Sequence, residues 1–140
     1  MIDRAIEPVL RRMAAQFKAV AVTGPRQSDT HPLRGALFEN WVILEQLKDR
    51  YNRGLRNNLY FWRNNTGHEI DLLMDQGGQL TPVEIKSGQT FADDWLGGLK
   101  KWLLLAGGEA HAPKIIYAGD ESWEEDGIRI LSWREATRMS

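Results

Sequence analysis

An Asp residue and a later Glu-x-Lys triplet form the pattern in this sequence that could most directly do chemistry. The residues are Asp71, Glu84 and Lys86, within the stretch 62–88. Buried together, two carboxylates and an ammonium would stabilise a fold poorly, because desolvation offsets most of their attraction. Carboxylate oxygens are, however, the ligands that hard divalent cations prefer. The three residue types therefore predict a cation site.

Three consecutive β-strands are expected to position these residues. The apolar runs are separated by turn signals rich in Asn and Gly, and they cover Leu59–Arg63, Glu69–Asp75 and Thr81–Ser87. Because side chains alternate between the two faces of a strand, one face of the middle strand should carry only apolar residues, namely Ile70, Leu72 and Met74. Asp71 would then lie on the other face, where Glu84 and Lys86 of the third strand could join it.

Length and composition indicate one globular domain. The chain has 140 residues, a net charge of -1 and no Cys, which excludes disulfides and thiolate zinc sites. A charge this close to neutral gives no general attraction to nucleic acid, so any such binding needs a local patch. We find no apolar run of membrane-spanning length and no signal peptide, and we expect a cytoplasmic protein without membrane contacts.

A strong helical pattern precedes the strands at Gly35–Tyr51. Its apolar residues occupy most of the circumference, which predicts a largely buried helix. Pro32 should break any regular element just before it, so Asp29–Leu33 is interpreted as a junction. Glu39 lies inside the apolar block, and two interpretations stay open: an edge residue paired with an Arg, or a carboxylate that points at the predicted cation site.

The rest of the sequence predicts a helix, two strands and a final short helix. The helix is expected at Phe91–Ala106, and the strands at Lys114–Ala118 and Ile128–Leu131. Ser132 and Glu135 fit a capping box that would open the last helix.

Basic residues concentrate around the end of the first long helix. They are Arg50, Arg53, Arg56 and Arg63. A solvated face is the ordinary interpretation of such a run, and a rim that contacts phosphates beside the cation site is the alternative. His68 could also contact phosphate, although a single His in a turn is more often solvated. Gln89 is expected to be a polar residue near the site.

The order of these elements resembles the PD-(D/E)XK nuclease-like superfamily. More specifically, residues 35–135 resemble the uncharacterised domain that follows the ATPase in many prokaryotic ATP-binding proteins. The likeness is carried by GALFENWV, LYFWRN, HEIDLL, PVEIKSG and GDESW…GIRILSW. It implies an α/β (α+β) fold with a restriction-endonuclease-like α-β-β-β-α-β core and a mixed sheet, preceded by a helix–strand arm.

The resemblance also implies roles for individual residues. Asp71, Glu84 and the backbone carbonyl of Ile85 would ligate Mg²⁺ or Mn²⁺, and Glu39 would complete the shell directly or through water. Lys86 would orient or help deprotonate the attacking water and offset charge on the scissile phosphate. DNA or RNA would be the substrate.

Residues 1–28 resemble the beginning of an AAA-type ATPase, with the rest of that domain missing. The sequence GPRQS opens a P-loop, but Asp29 follows where Gly-Lys-Thr or Gly-Lys-Ser would hold phosphate. We therefore expect no ATP binding. The apolar strand Lys18–Thr23 would lack partner strands, so we expect the arm to form a homodimer.

Two functions remain open at this point. The first is a metal-dependent nuclease that hydrolyses phosphodiester bonds. The second is a catalytically inactive remnant of an ATPase–nuclease fusion that binds nucleic acid or protein. As a third possibility, the charged residues could form a structural ion-pair network, since carboxylates with perturbed pKa values do not prove a function.

Overall fold

The computed structural model describes residues 31–138, with side chains described for 34–136. The predicted helix–strand arm of residues 1–28, the P-loop-like turn with Asp29 and the dimer expected through the arm all lie outside the described residues. Neither of the helices in the described part of the chain is long and apolar enough to cross a membrane.

Two helices and a six-stranded mixed sheet make up the described fold. The helices are α1 (His31–Asn52) and α2 (Trp95–Ala106). The strands are β1 (Leu59–Arg63), β2 (Glu69–Gln76), β3 (Gln79–Lys86), β4 (Lys114–Tyr117), β5 (Trp123–Glu125) and β6 (Ile128–Ser132). The sheet order is β1-β2-β3-β4-β6-β5, and the pairs β3/β4 and β4/β6 are parallel. The predicted α-β-β-β-α-β order and mixed sheet are thus confirmed.

The sheet is covered on both faces by separate hydrophobic cores. On one face α1 contributes Val42 and Ile43, which pack with strand residues such as Leu72, Val83 and Ile116. On the other face α2 contributes its buried stripe, and the fully buried members of that core include Leu73, Leu80, Leu99, Trp102 and Ile115. Each strand in the middle of the sheet therefore has to present apolar side chains to both sides, which explains the consecutive buried apolar residues Leu72–Met74 of β2 and Ile115–Tyr117 of β4.

Glycine turns set the register of the first two hairpins. Gly77 and Gly78 both have positive φ, 67° and 91°, which suits the two-residue turn between β2 and β3. The β1–β2 turn is organised by Asn64, whose Oδ1 accepts hydrogen bonds from the backbone N–H groups of Thr66 (3.1 Å) and His68 (2.9 Å). Both turns lie where the sequence predicts them.

Two expectations about local structure are wrong. α1 begins at His31, so Pro32 lies in its first turn rather than in a junction. Proline is tolerated there because the first N–H groups of a helix have no intrahelical acceptor. The edge strand β5 was not predicted, although Asp126 and Gly127, with φ of 53° and 79°, form the Asp-Gly turn that is a strong hairpin signal.

The last segment is a 3-10 helix, Trp133–Arg138, rather than an α-helix with a capping box. Ser132 Oγ accepts a hydrogen bond from Arg134 N–H at 3.3 Å and donates one to the Gly119 carbonyl at 2.7 Å. Glu135 accepts instead from the Ser122 hydroxyl at 3.0 Å. The segment is therefore fixed to the loop after β4, and not by a reciprocal cap.

Strand β2 contains an irregularity that simple alternation does not anticipate. Tyr60 pairs with Leu73, but Trp62, two residues further along β1, pairs with Ile70, three residues further back along β2. One extra residue is thus accommodated at Asp71–Leu72, as in a β-bulge. Ile70 consequently packs in the same core as Leu73, and not with Leu72 and Met74 as predicted.

Candidate metal and phosphodiester site

The bulge in β2 brings Asp71 against the backbone of β3. The regular β2/β3 register ends at the pair Leu72↔Val83. Beyond it, the Ile85 N–H donates to Asp71 Oδ2 at 2.8 Å, so a side chain replaces the strand carbonyl that a regular ladder would supply. In an antiparallel strand the N–H and C=O of one residue point to the same side. The Ile85 carbonyl therefore points to the side of the strand on which Asp71 lies.

Glu84 and Lys86 lie on the same face of β3, next to each other. Lys86 Nζ is 3.6 Å from Glu84 Oε2, and the Glu84 residue is only 8% exposed, whereas Lys86 is partly open to solvent. The carboxyl groups of Asp71 and Glu84 are close enough to share a hydrogen bond. A proton or a cation between them would relieve the repulsion of two buried carboxylates.

Burial dominates the electrostatics of these acidic groups. Desolvation, followed by the charge of Asp71, raises the pKa of Glu84 to about 8. Desolvation also raises the pKa of Asp71 above its usual value of 3.8, while the hydrogen bond from Ile85 and the charge of Lys86 act in the opposite direction. At neutral pH the pair therefore retains a proton that two exposed carboxylates would have lost.

Glu39 reaches the same charges from helix α1. Desolvation and the charges of Asp71 and Glu69 raise its pKa to about 7, and Lys86 lowers it. Asp71 and Lys86 act on both Glu39 and Glu84. The structure therefore brings together the four residues predicted for the site, and we call Glu39, Asp71, Glu84 and Lys86 the charged cluster.

The charged cluster fits some cations better than others. Among the side chains described for residues 34–136, no three His, Asp or Glu groups are arranged to hold an ion on their own. Mg²⁺ is usually held by only one or two carboxylates together with waters and substrate phosphates. Asp71 and Glu84, with the Ile85 carbonyl on the same side, fit that more open arrangement.

Most of the predicted basic residues lie away from the charged cluster. Arg50 is about 16 Å along α1 from Glu39, and its Nε donates to the Arg56 carbonyl at 2.7 Å. Arg53, directly after the end of α1, forms an ion pair with Asp49 of that helix at 3.3 Å. The loop that follows is bound to the far end of β2, where Asn58 Nδ2 donates to the Asp75 carbonyl at 2.8 Å.

Phosphate contacts by Arg50, Arg53 and Arg56 stay a prediction, but the structure places these residues away from the charged cluster rather than beside it. The reason is geometric, because α1 crosses the sheet and its C-terminal end lies over the opposite end of the strands. Arg63 is different. It is exposed, and it lies opposite Glu69 in the β1/β2 register, at the end of the sheet that carries the cluster.

His68 contacts protein rather than open solvent. Its Nε2 lies 3.0 Å from the Gly98 carbonyl of α2, and its ring packs edge-to-face on Trp62 at 5.4 Å. Its Nδ1 is buried without a hydrogen-bond partner among the described atoms. These contacts favour a role in fixing the hairpin to α2.

Beyond Lys86, the chain forms one wall of an open groove of about 290 Å³. We call it the Arg34 groove, and it is lined by Arg34, Ser87, Gly88 and Gln89. It lies where the N-terminal part of α1 approaches the end of β3, since a Cβ on Gly35 would lie 3.7 Å from Ser87 Oγ. Gln89 therefore lies near the cluster, as predicted. The loop is anchored by the Ala118 N–H, which donates to the Gly88 carbonyl at 3.1 Å.

The sequence-based interpretation missed Arg34 and Glu69 at this end of the fold. Arg34 precedes the predicted helix by one residue, and extending that helix through Pro32 would have included it, five residues or about 1.4 turns before Glu39. Glu69 occupies the first position of β2, two residues before Asp71, so its influence on Glu39 could have been suspected from strand alternation.

Comparison with known proteins assigns most of the chain to one domain family. A family model described as a domain of unknown function (DUF4143) matches residues 34–136. A search of curated proteins found no match. The matched range covers more than half of the 140 residues and includes the whole charged cluster. The chain therefore belongs to the DUF4143 family of domains of unknown function.

Proposed function

We propose that this domain is a metal-dependent nuclease that hydrolyses phosphodiester bonds at the charged cluster. The observation that carries the proposal is the pair of neighbouring carboxyl groups of half-buried Asp71 and buried Glu84, with Lys86 Nζ 3.6 Å from Glu84 Oε2. Carboxylates with pKa values raised by burial are costly for folding, and such groups concentrate at functional sites. A divalent cation bound between the two carboxylates would offset their repulsion, and their proximity would then serve metal binding.

Asp71 and Glu84 would hold Mg²⁺ or Mn²⁺, with the Ile85 carbonyl on the same side and Glu39 next to the pair. When bound, such a cation polarises a phosphoryl oxygen and lowers the pKa of a water molecule. Lys86 contributes a positive charge that can orient the attacking water and offset charge on the phosphate. Glu39, with a pKa raised to about 7, has the proton affinity that suits a general base near neutral pH.

Nucleic acid is the substrate class that this arrangement favours. The charged cluster opens beside the Arg34 groove, where a guanidinium and the polar loop of Ser87 to Gln89 offer contacts to a phosphate backbone. Arg63 adds a second exposed cation at the same end of the sheet. We propose DNA or RNA as the partner and include both in the experiment.

The second candidate is a binding module that has kept the fold without catalysis. The observation that favours it is the proximity of the Asp71 and Glu84 carboxyl groups, because a proton shared between them would satisfy the pair without a metal. Such a module would bind nucleic acid or protein through the same end of the sheet. Association of two copies through the N-terminal arm stays a prediction under either function.

A cleavage assay with matched variants separates the two candidates. Wild-type protein and a Glu84→Ala variant are incubated with single-stranded and duplex DNA and RNA, with Mg²⁺, Mn²⁺ or chelator. The nuclease proposal expects products with at least one substrate, only with a metal and only for the wild type. Equal cleavage by the two proteins indicates a contaminating nuclease, and binding without cleavage favours the module.

A further inference from the structure

An aromatic groove adjoins the charged cluster and has no role in the chemistry described above. It measures about 330 Å³ and is lined by Phe38, Trp41, Gln89, Ala118 and Trp133. Trp41 stacks on Phe38 with ring centres 6.3 Å apart and meets Trp133 edge-on at 5.8 Å. The helix pattern predicts a largely buried α1, yet the Trp41 residue is 38% exposed.

The aromatic groove and the Arg34 groove share one lining residue. Gln89 lines both. It follows Lys86 by three residues, so the two backbones are at most about 10 Å apart. On the helix side, Phe38 directly precedes Glu39. A ligand long enough to leave the aromatic groove past Gln89 would therefore reach the Arg34 groove, next to the charged cluster.

Positive charge accompanies the aromatic rings at both ends. The Arg34 guanidinium is in the adjoining groove, and the Arg134 guanidinium lies 4.6 Å from the centre of the Trp133 ring. Arg134 Nε also pairs with Asp120 at 3.0 Å, but both side chains are exposed, and such pairs are weak enough for another anion to compete. Aromatic faces alternating with arginines are how proteins hold single-stranded nucleic acid.

We propose that the aromatic groove binds an unpaired base of a single-stranded nucleic acid whose phosphates pass Arg34 towards the charged cluster. A base inside a duplex is already stacked on its neighbours, so only an unpaired or extruded base could stack on Trp41 or Trp133. The Gln89 amide, which carries both donors and an acceptor, can contact the edge of that base. The proposal rests on the proposed function for its substrate class and narrows it to single strands.

The experiment measures binding without cleavage. Full-length protein in chelator is titrated into a labelled single-stranded oligonucleotide, a matched strand of abasic sugars and a duplex of the same sequence. We expect the strand with bases to bind best. Trp41→Ala should weaken binding to that strand about tenfold, the effect of losing one stacked base, and should leave the abasic strand unchanged. Tyr51→Ala, an exposed aromatic of the same helix outside the groove, is the matched control.

A measurement on the wild type alone covers the case in which Trp41→Ala does not fold. A strand that contains 5-iodouracil is irradiated with the protein, and the crosslinked peptides are identified by mass spectrometry. Crosslinks to Trp41 or Trp133 support the proposal. Crosslinks confined to other peptides overturn it, as does equal affinity for strands with and without bases.

Other occupants of the groove give different results. If Trp41→Ala changes the sedimentation coefficient but not oligonucleotide affinity, the groove contacts a second copy and the proposal is wrong. It is also wrong if the oligonucleotide neither binds nor crosslinks, as expected where residues 1–30 of the same chain cover the groove. Base-dependent binding without any cleavage would leave this inference standing and refute the nuclease. Cleavage without base-dependent binding would support the nuclease and overturn this inference.

Discussion

The two ends of the β2–β3 hairpin are built from the same strands and differ in almost every physical respect. At the turn end the register is regular through Gln76↔Gln79, and Asp75 Oδ1 accepts a hydrogen bond from the Gly78 N–H at 3.0 Å. At the open end the register stops, and Asp71 Oδ2 accepts from the Ile85 N–H. Both aspartates thus accept a backbone hydrogen bond, and Asp71 in addition lies beside the carboxyl group of Glu84.

The comparison of Asp75 with Asp71 distinguishes a carboxylate that serves the fold from one that serves the candidate site. A carboxylate that stabilises a tight turn, like Asp75, requires no other charge beside it. Asp71 is placed with Glu39, Glu84 and Lys86, and burial raises the pKa of each of the three acidic groups. A hairpin of this length could close without grouping these charged side chains. Their grouping at the open end is therefore the physical reason to propose a functional site there.

The largest effect is expected on catalysis. Replacing Asp71 by Asn should lower metal-dependent cleavage by about 10²- to 10⁴-fold, the range lost with an essential proton-transfer or ligating group. Asp75→Asn, at the other end of the same strand, should leave the rate within about twofold once the folded fraction is equal. Product formation on a labelled strand measures both. Similar losses in the two variants would mean that the open end has no special chemistry.

A large effect is also expected on the pH dependence of stability. Burial raises the folded-state pKa of Glu39 to about 7 and of Glu84 to about 8, from a usual value of 4.5. The folded state therefore binds protons more tightly than the unfolded state. This stabilisation is complete below pH 4.5 and is lost as the pH rises through 7 and 8.

Urea unfolding without metal should show that effect as a fall on the order of 3 kcal/mol in unfolding free energy between pH 5 and pH 8. A Glu84→Gln variant keeps the shape of the side chain and should show a clearly smaller fall. The control is Glu45→Gln, because Glu45 is an acidic residue of α1 that forms an ion pair with Lys48 at 2.9 Å. A wild-type curve that is flat over this range would be incompatible with buried, proton-binding carboxyl groups.

Metal binding should raise stability by a somewhat smaller amount. At a concentration of Mg²⁺ or Mn²⁺ about 100 times the dissociation constant, the gain is about 2.7 kcal/mol. The double variant Asp71→Ala, Glu84→Ala should show no gain, although it can be more stable than the wild type without metal because a repulsion has been removed. Thermal unfolding measures both proteins, and an equal shift in the two would place the ion elsewhere.

The smallest effect concerns the basic residues at the two ends of the fold. Arg34→Ala should weaken binding of single-stranded nucleic acid by up to about fivefold, the worth of an exposed ion pair, and should reduce the salt dependence by about one phosphate contact. Arg56→Ala, in the loop at the turn end, should change neither. Salt-dependent titrations decide this, and an equal loss in both variants would extend the nucleic-acid surface across the whole sheet.

Local rules predicted the strands and the membership of the charged cluster. Apolar runs bounded by the turn signals Asn-Asn-Thr-Gly and Gln-Gly-Gly predicted β1 to β3, and alternation alone placed Glu84 and Lys86 on one face. The bulge at Asp71–Leu72 was not predictable in this way, because it depends on pairing with β1 rather than on the sequence of β2. Ile70 was assigned to the wrong core for that reason.

Long-range geometry accounts for the other errors. Arg50 and Glu39 belong to one helix, but the helix is long enough to carry them to opposite ends of the sheet. The exposure of Trp41 depends on how far Trp133 and the loop after β4 cover α1, which no pattern within the helix reveals. The two grooves beside the cluster are therefore products of tertiary packing, whereas the cluster itself follows from strand alternation and one helical position.

The most direct test of the central claim is the number of protons released when a divalent cation binds. Isothermal titration calorimetry with Mn²⁺ at pH 7, in buffers of different ionisation enthalpy, gives that number. Glu84, with its pKa raised to about 8, is largely protonated at that pH and must lose its proton to act as a ligand. We predict release of about one proton per ion bound by the wild type, and clearly less by the Glu84→Gln variant, in which only Glu39 and Asp71 can still release one. Binding without proton release, or the same release in both proteins, would contradict a metal site at Asp71 and Glu84.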